Sequence, residues 1–346
     1  MVVPVIRALV VVLALVAGCA PAPTPAEPTI TTAPVQRGMV LPTWDKHGYT
    51  DPSTGEALTK MAAAGANWVQ IVPTWYQGTR TASVISPASS TVADDDIRAV
   101  VALARGHGLK VLLKPHVDVA DGSDRNRIDP ADRTAWFSAY RGFITHYAAL
   151  AAELSVDQLA VGTELRGVSG DRPAWLAVIA GVRQAFSGPL VYAANHDEYR
   201  RVAFWDAVDL VGIDAYWSLT TEPTTDVPEL RRALDSRRTE LAAFAEMTGR
   251  RILFTETGFP SQHGAATAPW DGTISRRPAP DEQAAGYEAF LATFTGQAWC
   301  AGVFFWTWAV APRRGGTALD TSIAGKPAQQ VVAKWWASSL GARAAG

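Results

Sequence analysis

Two acidic residues in this chain close apolar runs. "LAVGTELRG" (159–167) passes through Leu159, Ala160 and Val161 and reaches Glu164, and "ILFTET" (252–257) carries Glu256 one residue before its end. A lone carboxylate inside an apolar strand costs more than its packing returns. A Glu placed where such a strand stops therefore needs either a partner or a task. Arg166 is the obvious partner for Glu164. The task that a carboxylate pair can share is general acid and base, or acid and nucleophile.

The ends of other apolar runs supply groups of a matching kind. They hold Trp44, Trp75 and Tyr76, His116 and Asp118, Asn195 and His196, Asp214 with Tyr216 and Trp217, and Trp306 with Trp308. Amides, imidazoles and acids can hydrogen-bond hydroxyl groups, and flat rings can stack on the C–H faces of pyranoses. The set as a whole fits a sugar-binding cleft. "HVDVADGSD" (116–124) offers His116, Asp118, Asp121 and Asp124, but their spacing matches neither an EF-hand loop nor a zinc motif, and no metal or cofactor is expected. Trp136, Trp175, Trp335 and Trp336 lie in helical patterns and are expected in the core, while Trp270 is expected in an outer loop.

Positioning these groups on one face requires a repeating scaffold. Eight apolar runs are legible: 38–42, 67–73, 110–115, 158–164, 190–195, 210–216, 252–257 and 302–308. Most are continuously apolar, as strands covered on both faces are. Helical patterns alternate with them, at 94–108, 133–154, 172–188, 228–249, 281–294 and 328–340. The segment 94–108 begins on Asp94 to Asp96, read as capping residues. The weakest link is "EYRRVAFWDAV" (198–208), which leaves room only for a short helix. Eight strand–helix units predict a single (β/α)8 barrel over 37–346, whose reactive groups lie at the C-terminal strand ends.

Composition bounds the partners. The chain has 346 residues and a formal net charge of −2, so it carries no electrostatic footprint for nucleic acid. Thirteen Trp exceed what one core needs, which draws attention to those at strand ends. At the N-terminus, Arg7, the apolar stretch 8–16 and "VAGC" (16–19) read as a signal peptide, residues 1–18, ending in a bacterial lipobox with Cys19 as the lipidated residue. A Pro/Thr-rich tether follows over 19–36. Only Cys300 then remains, so no intrachain disulfide is available. The expectation is an exported monomer anchored through Cys19 to the outer face of the bacterial cytoplasmic membrane, or secreted if the lipobox is not used.

Several segments together resemble glycoside hydrolase family 113. They are "ANWVQIVPTWYQ", "LKVLLKPHVD", "VGTEL", "YAANHDEY", "FWDAVDLVGIDAYW", "LFTETGF" and "PWDG", in order across 37–308. The resemblance implies a retaining hydrolase of β-1,4-mannan without metal, with Glu164 as acid/base and Glu256 as nucleophile. Trp44, Trp75, His116, Asn195, His196, Tyr216, Trp217 and Trp306 are the expected substrate contacts, with Tyr216 on Glu256 or a sugar hydroxyl. Many members of the wider clan carry Asn before the acid/base Glu, contacting the 2-hydroxyl. Thr163 stands there in this chain, which leaves that contact to Asn195 or His196. Two alternatives remain open: another β-glycan (glucan, galactan or xylan) as substrate, and a non-catalytic carbohydrate-binding lipoprotein, which would need neither Glu.

Overall fold

The computed structural model describes residues 35–309 and 318–344. The signal peptide, Cys19 and most of the tether lie outside the described residues. Eight parallel strands close a barrel: β1 (Gln36–Pro42), β2 (Trp68–Val72), β4 (Lys110–Leu113), β6 (Gln158–Thr163), β7 (Leu190–Asn195), β8 (Leu210–Asp214), β9 (Ile252–Thr257) and β10 (Cys300–Phe305). β1 pairs with β10 as well as β2, which closes the ring. Each matches one of the eight apolar runs. The helices outside it are α1 (Ser53–Ala63), α2 (Asp94–Gly106), α3 (Arg133–Glu153), α4 (Arg172–Ala185), α5 (Val227–Thr248), α6 (Pro280–Phe294) and α7 (Pro327–Ala344). Between β7 and β8 the connection holds only two short 3-10 turns, Tyr199–Arg201 and Trp205–Ala207, as the shortness of that segment requires.

Two apolar layers hold the barrel. Val40, Val72, Leu112, Ala160, Val191, Leu253 and Phe304 fill its interior, with Trp68 edge-on to Phe304. Their alternate neighbours, such as Leu41, Ile71, Leu159, Ile213 and Phe254, turn outward to the helices. Val178, Ile179 and Val182 line the buried side of α4 at helical spacing. Asp171 caps that helix by accepting from Ala174 N, and Pro173 sits in the first turn. Asp94 to Asp96 occupy the first turn of α2 rather than its cap, which is Ala93 without a side-chain bond. There they complement the helix dipole instead, and His146 and His47 pair with Asp94 and Asp96.

The apolar pattern did not reveal two further strands, β3 (Thr74–Gln77) and β5 (His116–Val119), which pair in parallel above the barrel. They extend β2 and β4 past Pro73 and Pro115. A proline has no N–H to continue a ladder, so each proline marks where the closed sheet ends and the small one begins.

Candidate active site

A cleft of about 670 Å³ opens at the C-terminal mouth of the barrel. Glu164, Asn195, His196, Tyr216, Glu256, Trp44 and Trp306 line it, together with Tyr76, Arg125 and Trp270. Glu164 follows β6, the fourth barrel strand, and Glu256 lies near the end of β9, the seventh.

Strict alternation would not bring Glu256 inward. Leu253 packs in the barrel interior and Phe254 outside it, so Thr255 should face in and Glu256 out. The register against β8 shifts at this point: Ile213 pairs with Phe254, but Asp214 pairs with Glu256. Such a bulge bends the strand and re-aims side chains. Thr255 Oγ1 then donates to Asp214 Oδ1 at 2.7 Å while Glu256 also turns inward. β6 carries a comparable shift between Ala160 and Gly162. At Gly162 a Cβ would stand 2.7 Å from the Tyr192 ring and 2.8 Å from Trp175, so only glycine lets those rings close under the strand.

Lys114, at the end of the third barrel strand, organises one half of the site. Its Nζ donates at 2.6 Å to Glu256 Oε1 and at 3.0 Å to both oxygens of Asp214, with Lys114 and Asp214 wholly buried. Burial alone would lower the Lys114 pKa, but the Asp214 and Glu256 carboxylates outweigh it and the net direction is upward. Tyr216 donates its hydroxyl to Glu256 Oε2 at 3.1 Å, so both Glu256 oxygens are held. His116 sits beneath, with Nε2 3.8 Å from Glu256 Oε1, beyond hydrogen-bond reach. Burial, reinforced by the Arg125 and Lys114 cations, pushes the His116 pKa well below its usual value, and the ring is neutral.

Glu164 has a different environment. Its backbone adopts φ 54°, the left-handed region, which costs a non-glycine residue about 1–3 kcal/mol and concentrates at functional sites. Asn195 Nδ2 donates to its Oε1 at 3.2 Å, and Arg125 Nη1 lies 3.6 Å from its Oε2. Burial pushes the Glu164 pKa up to about 7; the Arg125 cation opposes this and the nearby Glu256 adds to it. Arg125 is itself fixed by Asp118, at 2.6 Å.

Several expected contacts are relocated. Trp75 does not line the cleft: alternation along β3 puts Tyr76 there and turns Trp75 onto α3, against Phe143, His146 and Tyr147. Trp217 is buried against Phe254 and Phe294, with Arg237 over its ring. His116 lies below the cleft floor, fully buried, and neither ring nitrogen has a hydrogen-bond partner among the described residues. Arg166 pairs with Asp197 instead of Glu164, leaving that place to Arg125. Trp308, expected on the same side as Trp306, is 2% exposed in the outer layer, whereas Trp306 meets Trp44 edge-on at the cleft, 6.1 Å between centroids. Thr163 is buried and its hydroxyl has no protein partner. Trp270 stands 57% exposed with its ring stacked on His196.

Lys114 and Arg125 did not stand out in the sequence. The signal for Lys114 was present, because "KVLLK" is another apolar run that closes on a charge. Arg125 left none, since it comes from a loop and a 3-10 turn.

The chain's residues 42–320 match the model of glycoside hydrolase family 113. The chain belongs to glycoside hydrolase family 113. Among solved structures, a family 113 β-mannanase from Alicyclobacillus acidocaldarius in complex with ManMIm superposes with TM-score 0.81 at 28% identity, covering 90% of this chain and 99% of that one. A family 113 β-1,4-mannanase matches with TM-score 0.79 at 25% identity over 88% of this chain and 99% of the other. No curated protein matches. Membership makes the chain a glycoside hydrolase with a carbohydrate substrate, and the two glutamates that line the cleft of this family 113 barrel are Glu164 and Glu256.

Proposed function

We propose that this family 113 hydrolase cleaves β-1,4-mannan internally and with retention, Glu164 serving as acid/base and Glu256 as nucleophile. The observation that carries the reading is the contrast between two carboxylates facing one cleft. Glu256 is held on both oxygens by Lys114 and Tyr216, while Glu164 has its pKa pushed up to about 7. Paired carboxylates set in different environments take the separate roles of acid and nucleophile.

In the first step a Glu256 oxygen attacks the anomeric carbon as its bond to the leaving oxygen breaks, and Glu164 gives its proton to that oxygen. In the second, Glu164 as carboxylate takes a proton from water, whose oxygen attacks the anomeric carbon and releases Glu256. Trp306 forms the platform for the ring being cleaved, and Asn195, whose Oδ1 has no protein partner, supplies a hydroxyl contact in place of Thr163. A second cavity of about 440 Å³ adjoins the first through Trp44, Trp270 and Trp306, which supports an extended groove suited to internal attack. Mannan as substrate is supported by the β-mannanases of similar structure.

The test is reducing-sugar release from β-mannan, glucomannan, xylan and β-glucan by the purified chain, beside Glu164→Gln and Glu256→Gln. Loss of about 10³-fold or more on mannan in both variants is the expected result. Equal loss on another glycan would keep the mechanism and overturn the substrate. Turnover untouched by both substitutions would overturn the residue assignment.

We also propose export and lipid anchoring at Cys19 with a monomeric catalytic domain, supported by "VAGC" and the Pro/Thr-rich segment that follows. Cys19→Ala should move the protein from the detergent-extracted membrane fraction to the soluble one. An unchanged distribution would overturn the anchor, and sedimentation of the solubilised protein as a dimer would overturn the monomer.

A further inference from the structure

Glu198 is a buried acid with no place in the chemistry above. Its side chain is wholly inaccessible, and among the described residues it makes no ion pair with a Lys or Arg. Its two oxygens hold the two supports of Glu164. Oε1 accepts from the Tyr192 hydroxyl at 2.5 Å, and that hydroxyl in turn accepts from Leu165 N, the amide following Glu164, at 3.0 Å. Oε2 accepts from Asn195 N at 3.0 Å, the residue whose side-chain amide reaches Glu164 Oε1.

We infer that Glu198 is a positioning residue for the acid/base: through Tyr192 it pins the left-handed turn at Glu164, and through Asn195 it sets the amide that orients the Glu164 carboxyl. A buried carboxylate without a cation is costly to keep. An apolar residue of similar volume would fill the space but would leave Tyr192 O–H and Asn195 N without acceptors. Gln cannot replace it fully either. Its amide offers one acceptor oxygen where the Tyr192 hydroxyl and Asn195 N, with the Ser169 hydroxyl beside them, converge on a carboxylate, so one of the two arms is weakened. The charge of Glu198 also acts on Glu164 directly, raising its pKa. Tyr192, packed edge-on to Trp175 and Phe204, cannot swing to another partner.

The inference rests on Glu164 being the acid/base, and the test separates the two. Protonation of the leaving oxygen matters for a poor leaving group and not for a very good one. Wild type, Glu164→Gln, Glu198→Gln, Glu198→Asp and Tyr192→Phe are compared for kcat and KM on mannan oligosaccharides and on a 2,4-dinitrophenyl β-glycoside of the same sugar, with Tm for each. Hydrolysis of the aryl glycoside is read as the burst of dinitrophenolate from the first step.

Glu198→Gln is expected to lose about 10–100-fold in kcat on the oligosaccharide, with KM within twofold, and less than threefold in the burst rate. Tyr192→Phe should follow it with a smaller loss, and Glu198→Asp should recover part of the activity. If Glu164→Gln shows the leaving-group dependence and Glu198→Gln loses both substrates equally, or loses only Tm, the role of Glu198 is structural and the inference is overturned. If Glu164→Gln itself shows no leaving-group dependence, it is the acid/base reading that fails.

Discussion

Lys114 Nζ lies 2.6 Å from Glu256 Oε1 inside the barrel mouth, and the same ammonium bridges to Asp214. One buried cation thus serves two carboxylates on adjacent strands. Nothing else among the described ion pairs within the barrel matches it for burial.

Removing that cation should be severe. Lys114→Met keeps the volume but leaves Asp214 and Glu256 as facing acids, and breaking a buried ion pair from one side costs about 3–5 kcal/mol. Chemical denaturation should report a loss of this order. kcat should fall by about 10² or more, because Glu256 loses one of its two donors. A variant as stable and active as wild type would show that the triad contributes nothing.

The pH profile follows from Glu164. Its pKa is pushed up to about 7, and it must be protonated to release the leaving oxygen, so kcat/KM should fall as pH rises through about 7. The Arg125 cation holds that pKa down. Arg125→Gln should therefore move the falling limb to higher pH, and a shift to lower pH would contradict the role assigned to Arg125.

Stability should follow the same groups. Glu164 and Glu198 have folded pKa values near 7, above the ordinary 4.5. The folded chain then binds more protons than the unfolded one between these values, so stability falls as pH rises from about 4.5 to about 7. Over that whole range each group's contribution falls by about 3 kcal/mol. Urea denaturation of Glu198→Gln across this range should give a flatter dependence than wild type.

The aromatic residues should divide by location. Trp306→Ala and Trp44→Ala remove cleft rings and should reduce kcat/KM by about 10-fold or more with little loss of Tm. Trp217→Ala empties a buried site beside Phe254 and Phe294 and should cost about 3–5 kcal/mol. Trp75→Ala should likewise lower Tm through its packing on α3. If Trp75→Ala or Trp217→Ala instead lowered affinity at unchanged stability, their placement away from the cleft would be contradicted.

The barrel was legible because its strands are continuously apolar and its helices carry their own periodicity and stops, such as Gly249 ending α5 in the left-handed conformation. The candidate carboxylates were legible for the same reason, since an apolar run ending on Glu stands out in one dimension. Side-chain direction at the mouth was not. It depends on shifts of register after Ala160 and Ile213, which spacing in one chain cannot express because they are properties of two strands together. Alternation counted through those shifts gives the wrong face.

What the sequence determined by itself was the order of the eight barrel strands and of six helices around them, though not α1, β3 or β5, together with the end of the barrel at which chemistry gathers and the residue types available there. The tertiary structure alone decided which of those residues meet. Lys114, Asp214 and Glu256 come from three strands, and the Arg125 that faces Glu164 comes from a loop beyond a fourth. Their ion pairs depend on distances of a few ångströms between segments far apart in the chain, set by barrel closure and by packing. Trp75, Trp217 and His116 lost their expected places for that same physical reason: one rotation of the backbone separates a cleft-facing ring from a buried one.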